Sequence, residues 1–332
     1  MTQTNRRFVL ASRPSGQVSP DNFRLEELPV PAVAEGQLLV RNRFLSLDPY
    51  MRGAMNDRKN YRKPQELGET MVGGTVGEVI ESRNPRFAVG DVVVGGFGWQ
   101  LFGLSDGSGL RKVDTSRVPI QAYLGVAGMP GVTAWTGLNR IIEAKAGETV
   151  VVSAASGAVG SVVGQLAKGL GCRVVGVAGG PAKCAAVVGE FGFDACVDYR
   201  AGRLEQDLAA ATPDGIDGYF ENVGGMVLDA VLTRMNTFGR IAVCGMISGY
   251  DGAPIPMANP QMILISRLRI QGFIVGEHME DWPAALKELA SLVADGKLRP
   301  RESVAQGLAA APEAFLGLLK GRNFGKQLVR LI

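Results

Sequence analysis

The chain has 332 residues, 46% of them apolar, which is enough to bury a large core and to form two domains. Its 35 basic and 32 acidic side chains are interspersed, so the net charge of +3 argues against a dedicated nucleic-acid groove, and the cluster Arg58, Lys59, Arg62, Lys63 reads as a solvated loop. No apolar window is long enough to span a bilayer and the N-terminal apolar stretch is too short for a secretory signal, so no membrane contact and a cytoplasmic location are expected. Residues 1 to about 125 carry β-type segments at 37–47, 71–81 and 91–96, densely punctuated by glycine and proline, and read as a small β-rich domain. From about residue 126, strand-like runs at 150–153, 173–178, 195–199, 218–220, 240–244 and 269–275 alternate with helical stretches at 158–170, 181–191, 203–211, 225–236 and 261–267. That alternation predicts an α/β fold with a doubly wound parallel sheet. A helix at 281–295, a connection at 299–305, a helix at 311–319 and a strand at 326–332 follow. The tail, 300–332, is expected to rejoin the first domain, leaving 126–299 as an inserted domain with the binding site in the cleft between the two.

The inserted segment opens on the most telling stretch, residues 150–164. The run Val150-Val151-Val152 enters a glycine turn and leaves as the helical pattern Val159, Val162, Val163, Leu166. The turn is a dinucleotide fingerprint with Ala155 where the first glycine usually stands, followed by Gly157 and Gly160. Gly157, Ala158, Val159 and Gly160 are therefore candidates for phosphate contact, with Gly160 letting the helix lie close on the strand and the helix N-terminus facing negative charge. An acidic residue that would bind an NAD ribose at the end of the second strand is missing. The chain has Gly179-Gly180 there, with Lys183 shortly after, so NADP(H) is favoured over NAD(H). The four cysteines, Cys172, Cys184, Cys196 and Cys244, form no C-x-x-C pair, and packing is the role expected of them.

Six ordered motifs then carry a closer likeness: Leu47-Asp48-Pro49-Tyr50-Met51-Arg52, Gly128-Met129-Pro130-Gly131, the turn at 154–160, Phe220-Glu221-Asn222-Val223-Gly224-Gly225, Cys244-Gly245-Met246-Ile247-Ser248 with Tyr250, and Gly321 with Asn323, Gly325 and Lys326. Over residues 7–331 the chain resembles the medium-chain dehydrogenase/reductase superfamily, in the zinc-free branch of prostaglandin, plant alkenal double-bond and bacterial curcumin reductases, nearest to the curcumin-reductase-like group. The resemblance implies a GroES-like β-rich catalytic domain joined to a Rossmann-type NADP-binding domain, a homodimer, and NADPH-dependent reduction of the C=C bond of small α,β-unsaturated ketones and aldehydes. It further implies cofactor contacts from Lys183 and Tyr199 at the adenosine 2′-phosphate. Asn222 and the loop Cys244, Gly245, Met246, Ile247, Ser248, Tyr250 would serve the nicotinamide side, Phe273, Ile274 and Val275 the nicotinamide amide, and Asn323 would reach in from the tail.

Zinc-dependent members of the superfamily place a Gly-His-Glu segment and a ligating cysteine in the first domain, where this chain has Gly68-Glu69-Thr70, no cysteine before Cys172 and one histidine, His278, far downstream. A catalytic zinc takes about three protein ligands, so no metal is expected. A hydrogen-bond donor must then face the substrate carbonyl, and Tyr250, Tyr50 and the cofactor ribose are the candidates. The branch commonly continues from the tyrosine to asparagine, whereas Asp251 and Gly252 follow here. Quinone reduction and a non-catalytic nucleotide- or RNA-binding role are the alternative readings.

Overall fold

The computed structural model describes residues 4–58 and 60–332, so Lys59 of the basic cluster and the first three residues lie outside it. Two compact units emerge, one made of the chain up to Leu124 together with Glu302–Ile332, the other of Gly125–Arg301. Among the described residues, no helix is long and apolar enough to cross a membrane.

In the first unit, β1 (Thr4–Leu10) and β2 (Phe23–Pro29) form an antiparallel ribbon. Strands β3 (Leu38–Ser46), β4 (Thr75–Ser82), β5 (Val92–Gly95), β6 (Phe102–Ser105) and β7 (Arg111–Lys112) build most of a mixed sheet, and the short helix α1 (Tyr50–Ala54) follows β3. The expected segments 37–47, 71–81 and 91–96 thus correspond to β3, β4 and β5, with β4 starting four residues later and ending one residue later than expected. The ribbon covers a buried Trp99, whose ring stacks on Phe23 at 5.1 Å and meets Phe8 edge-on at 6.3 Å.

The second unit carries α2 (Met129–Thr136), which runs on as a π-helical turn over Gly137–Ile142 and was not expected from the sequence. Its six-stranded sheet contains β8 (Thr149–Ser153), β9 (Arg173–Ala178), β10 (Ala195–Asp198), β11 (Ile216–Glu221), β12 (Met235–Val243) and β13 (Arg269–Gly272) in the order β10-β9-β8-β11-β12-β13, every pair parallel. The crossovers include α3 (Gly160–Gly169), α4 (Pro181–Gly189), α5 (Leu204–Ala211), α6 (Met226–Leu232) and α7 (Gln261–Ile265), with α8 (Trp282–Ala294) after the last strand. Helices cover both faces, so central strands must be apolar on both sides, and Val150, Val151 and Val152 are all fully buried. The helix expected at 225–236 stops at Leu232, because the chain turns there and residues 235–243 become strand. The strand expected at 269–275 ends at Gly272.

The tail returns as β14 (Glu302–Gln306), α9 (Ala311–Leu319) and β15 (Lys326–Arg330). Residues 299–305, read as a plain connection, therefore contain most of a strand, one that pairs in parallel with β15, while β15 pairs antiparallel with β3. α9 brings Phe315 edge-on to Trp99 at 5.6 Å. A buried ion pair closes the seam: Lys326 Nζ donates to Asp48 Oδ1 at 2.9 Å, to the Leu47 carbonyl at 2.6 Å and to the Gln327 carbonyl at 3.3 Å, and Ser46 Oγ donates to Asp48 Oδ2. All three ammonium hydrogens are used, which is the condition under which a charge can stay buried.

Removing one partner strands the other, so Lys326→Met should destabilise the protein by about 3–5 kcal/mol. Lys326→Met combined with Asp48→Asn should recover part of that loss, read as urea midpoints. Equal midpoints for wild type and Lys326→Met would show that the pair contributes nothing.

Candidate functional site

The turn after β8 is built around a tight approach. A Cβ placed on Gly160 would lie 2.4 Å from the Ala154 carbonyl oxygen, so only glycine lets α3 start this close to the strand. Ala154 itself sits at φ 48°, in the left-handed region that L residues adopt at a cost of about 1–3 kcal/mol. α3 begins at Gly160, two residues later than the sequence suggests. Gly157 N–H donates to the Ala154 carbonyl at 2.8 Å. The glycine expected to admit a phosphate thus has its own amide closed into the turn. Among the described residues, no backbone carbonyl accepts from the amides of Ala158, Val159 or Gly160, and they lie at the positive end of α3. Open amides at the positive end of a helix are groups that suit an anion.

β8 and β11 are neighbours, yet β8 continues to β9 on one side and β11 to β12 on the other, so their C-terminal ends form the switch point where doubly wound sheets bind ligands. Three side chains tie the two ends together. Ser153 Oγ donates to Glu221 Oε1 at 2.9 Å, Asn222 N–H donates to Ser153 Oγ at 2.8 Å, and Asn222 Nδ2 donates to the Ser153 carbonyl at 2.8 Å. Glu221 is fully buried and Oε1 also accepts from Val223 N–H. The sequence reading assigned Asn222 to the cofactor but gave no role to Ser153 or Glu221. Glu221 stands three residues before Gly224-Gly225, and nothing in the sequence marks it as buried.

The loop after β12 is stitched to this point. The amides of Cys244 and Gly245 donate to the Glu221 carbonyl, Ile247 N–H to the Asn222 carbonyl, and Ser248 Oγ to the Val223 carbonyl at 2.6 Å. Burial, with the Glu221 carboxylate nearby, pushes the Cys244 thiol up to about 12, so it is a neutral packing group. Met246 precedes a 3-10 turn over Ile247–Gly249 that Tyr250 caps. The Tyr250 hydroxyl lies over Gly245, where an added Cβ would be 3.1 Å from it.

On the other side of β8, Gly179 follows the end of β9, where the acid is missing. A Cβ on Gly179 would fall 2.9 Å from Arg200 Nε and 3.0 Å from the Tyr199 hydroxyl, because these side chains fill the space beyond the end of β9. Arg200 Nε donates to the Tyr199 hydroxyl at 3.3 Å, and Asp198 Oδ1 accepts from the Gly180 and Arg200 amides at 2.7 and 3.0 Å. Burial and the Arg200 charge push the Lys183 ammonium below its ordinary range, a repulsion between two cations. A phosphate between them would relieve that repulsion. Arg200 was missed in the sequence, where it is simply one more exposed arginine.

Phe273 packs edge-on to Phe220 at 6.2 Å, Ile274 begins a 3-10 turn, and the Val275 carbonyl accepts from Trp282 Nε1 at 3.0 Å. That carbonyl, one of the groups expected to face a nicotinamide amide, is thus already engaged. In the first unit, Asn323 Nδ2 donates to the Gly325 carbonyl at 2.7 Å, which turns that amide group into its own loop. Tyr50 opens α1 beneath the Arg62 guanidinium, 4.7 Å from its ring centre. Burial, reinforced by Asp48, pushes its hydroxyl up to about 12, so it remains a proton-bearing donor at neutral and mildly alkaline pH.

Among the described residues, one group could converge on a metal: His278, Glu280 and Asp281. Asp281 Oδ1 already accepts from Arg140 Nη2 at 2.7 Å and Nε at 3.1 Å. The segment Gly68-Glu69-Thr70 is knitted to the first strand: Gly68 N–H donates to the Leu10 carbonyl, Leu10 N–H to the Glu69 carbonyl, and Arg7 Nη1 to Thr70 Oγ1 at 3.2 Å.

A family model described as the N-terminal domain of oxidoreductase matches residues 6–113, and one described as zinc-binding dehydrogenase matches residues 158–291. The chain is 47% identical to the NADPH-dependent curcumin reductase of Escherichia coli (strain K12), with 99% of this chain and 97% of that protein covered. It is 43% identical to prostaglandin reductase 1 of Rattus norvegicus, with 97% and 98% covered. The crystal structure of CurA from Vibrio vulnificus in complex with NADPH superposes with a TM-score of 0.94 at 44% identity, covering 98% of this chain and 99% of that one.

The cradle at Gly179 can be probed directly. Gly179→Ala displaces the flexible ends of Tyr199 and Arg200, so binding of adenosine 2′-monophosphate should weaken about tenfold, the equivalent of ~1.4 kcal/mol, while thermal stability barely moves. Adenosine 5′-monophosphate should be unaffected. Equal losses for the two nucleotides would place the 2′-phosphate elsewhere.

Proposed function

Since the chain belongs to the medium-chain dehydrogenase/reductase family, in the branch of the curcumin and prostaglandin reductases, we propose that it is an NADPH-dependent, zinc-independent reductase of the C=C bond of α,β-unsaturated ketones and aldehydes. The observation that carries this reading is a hydroxyl, Tyr250, over Gly245 beyond the end of β12, on a loop tied to the switch point. The dinucleotide fits the residues present. The open amides at 158–160 would hold the pyrophosphate, Lys183, Arg200 and Tyr199 the 2′-phosphate, and the loop 244–248 with Asn222 the nicotinamide half. NADPH supplies a hydride from nicotinamide C4 when bound.

The chain's own part is electrostatic. As the substrate β-carbon is reduced, negative charge collects on the carbonyl oxygen, and a donor fixed there beforehand lowers the barrier because no solvent has to reorganise. Tyr250 is the donor in this reading. Tyr50, protonated at working pH, is its rival. A proton then reaches the α-carbon from solvent.

Zinc does not fit. Glu69 and Thr70 stand where the ligand segment of zinc-dependent relatives would be, both are held against β1, and His278 lies in the other unit. NADPH oxidation should run unchanged with a chelator present. The homodimer is also part of this reading. β13 is the edge of its sheet, and the neighbouring α7 exposes Leu264 at 80% and Ile265 at 57%. A second copy pairing edge to edge about a two-fold axis would cover both the open ladder and the apolar side chains. Sedimentation should report a dimer, and Leu264→Asp a monomer; an unchanged mass for Leu264→Asp would place the interface elsewhere.

Tyr250→Phe removes one hydrogen-bond donor and keeps the ring. NADPH affinity should survive, while single-turnover hydride transfer to a dienone slows about a hundred- to a thousandfold, less if a ribose hydroxyl substitutes. Wild-type transfer in Tyr250→Phe with slow transfer in Tyr50→Phe would assign the donor to the first unit. No NADPH oxidation with any enal or enone would defeat the proposal outright.

A further inference from the structure

All four cysteines lie in the second unit, and two of them meet away from the switch point. Cys184 stands on the first turns of α4, and Cys196 is the second residue of β10. Each thiol interacts with the other and with the Ala178 backbone, and Cys196 Sγ would lie 3.2 Å from a Cβ on Gly176 of β9, so α4, β9 and β10 converge on one pair. Neither residue is fully buried, and both line a surface cavity of about 580 Å³ beside Pro181, Asp198 and Arg203. Cys172 is otherwise engaged, donating to the Lys145 carbonyl at 3.3 Å, and Cys244 is next to Glu221.

We propose that Cys184 and Cys196 are a modification site: a dithiol that a low-molecular-weight disulfide such as glutathione disulfide converts to an intramolecular bridge between α4 and β10. The Cys184 thiolate attacks one sulfur of the oxidant, forming a mixed disulfide and releasing one glutathione thiolate, which takes up a proton. Cys196 then loses its proton to solvent and attacks the Cys184 sulfur, forming the S–S bond as the second glutathione leaves. Two protein thiols give up two electrons and two protons, and one small disulfide becomes two thiols. Burial pushes both thiols up, and Cys196, also raised by its neighbour Cys184, is pushed further, so Cys184 ionises first and leads. The exposed cavity gives the oxidant access.

The bridge bears on the cofactor, and this consequence rests on the NADPH reading above. Cys184 directly follows Lys183, and β10 ends on Asp198, which holds the amides of Gly180 and Arg200. Closing two sulfurs to about 2.05 Å draws α4 toward β10. Both sides of the 2′-phosphate cradle move with it. Oxidised protein should therefore bind NADPH more weakly than reduced protein, with NADH little changed.

The test uses the whole protein, reduced and then incubated with glutathione disulfide at pH 8.5, alkylated and digested. The expected product is a cross-linked peptide pair containing Cys184 and Cys196, lost on treatment with dithiothreitol, and Cys196→Ser should stop with one glutathione retained on Cys184. NADPH affinity should fall about fivefold or more on bridging. Free thiols at both positions after oxidation, or a bridge to a different cysteine, would overturn the site. A bridge that leaves the NADPH-to-NADH affinity ratio unchanged would overturn its coupling to the cofactor. Failure of the NADPH reading is a separate outcome, visible as reduced protein that does not prefer NADPH, and the peptide mass does not depend on it.

Discussion

The bond between Ser153 Oγ and Glu221 Oε1 holds together the two strands at which the sheet reverses its winding. A parallel sheet with helices on both faces is forced to open between two strands whose crossovers diverge, and that opening is where backbone groups lose their partners. Here a buried carboxylate fills it. Glu221 receives Ser153 and the Val223 amide through its side chain and the Cys244 and Gly245 amides through its carbonyl, so the loops after β11 and β12 hang from one residue. An unpaired buried carboxylate is costly, and here the bonds fall on Oε1 alone, with Oε2 buried and given no hydrogen-bond partner among the described residues. The position of Tyr250 is then a consequence of main-chain hydrogen bonds rather than of loop packing.

The two halves of the proposed nucleotide site differ in kind. At the start of α3 the proposed phosphate contacts would come from amides fixed by Gly160 and a strained Ala154, groups that no side-chain substitution can supply. Discrimination at Gly179 uses long, mobile side chains crowded into a space a β-carbon would block.

Much of the second unit was legible because its strands are short runs of valine between turn glycines: 173–178 is the observed β9. In the returning tail of the first unit, the helix expected at 311–319 is the observed α9. The misses have physical causes. In β12 the sequence Met235-Asn236-Thr237-Phe238 looks like a helix end followed by a turn, and Phe238 does take a left-handed φ of 63°, yet the ladder resumes across that irregularity. β1 hides its alternation behind paired arginines, Arg6 and Arg7, which reach across to Glu27 and Glu26. β14 has no fully buried residue, so no apolar signal marks it. Lys183 and Tyr199 could be read through a resemblance. Arg200 and Glu221 needed coordinates, since a charged residue discloses its partners only when distant chain segments meet.

The pair Lys326 and Asp48 is separated by 278 positions. A chain made from its N-terminus exposes Asp48, Trp99 and an unfinished sheet for nearly the whole of synthesis, while everything needed for the second unit, Gly125–Arg301, has emerged before the tail appears. The later-encoded unit is therefore free to fold first on the ribosome, and the earlier one waits for its last strand. Loss of only the final few residues would leave the oldest part of the polypeptide as the part that never closes.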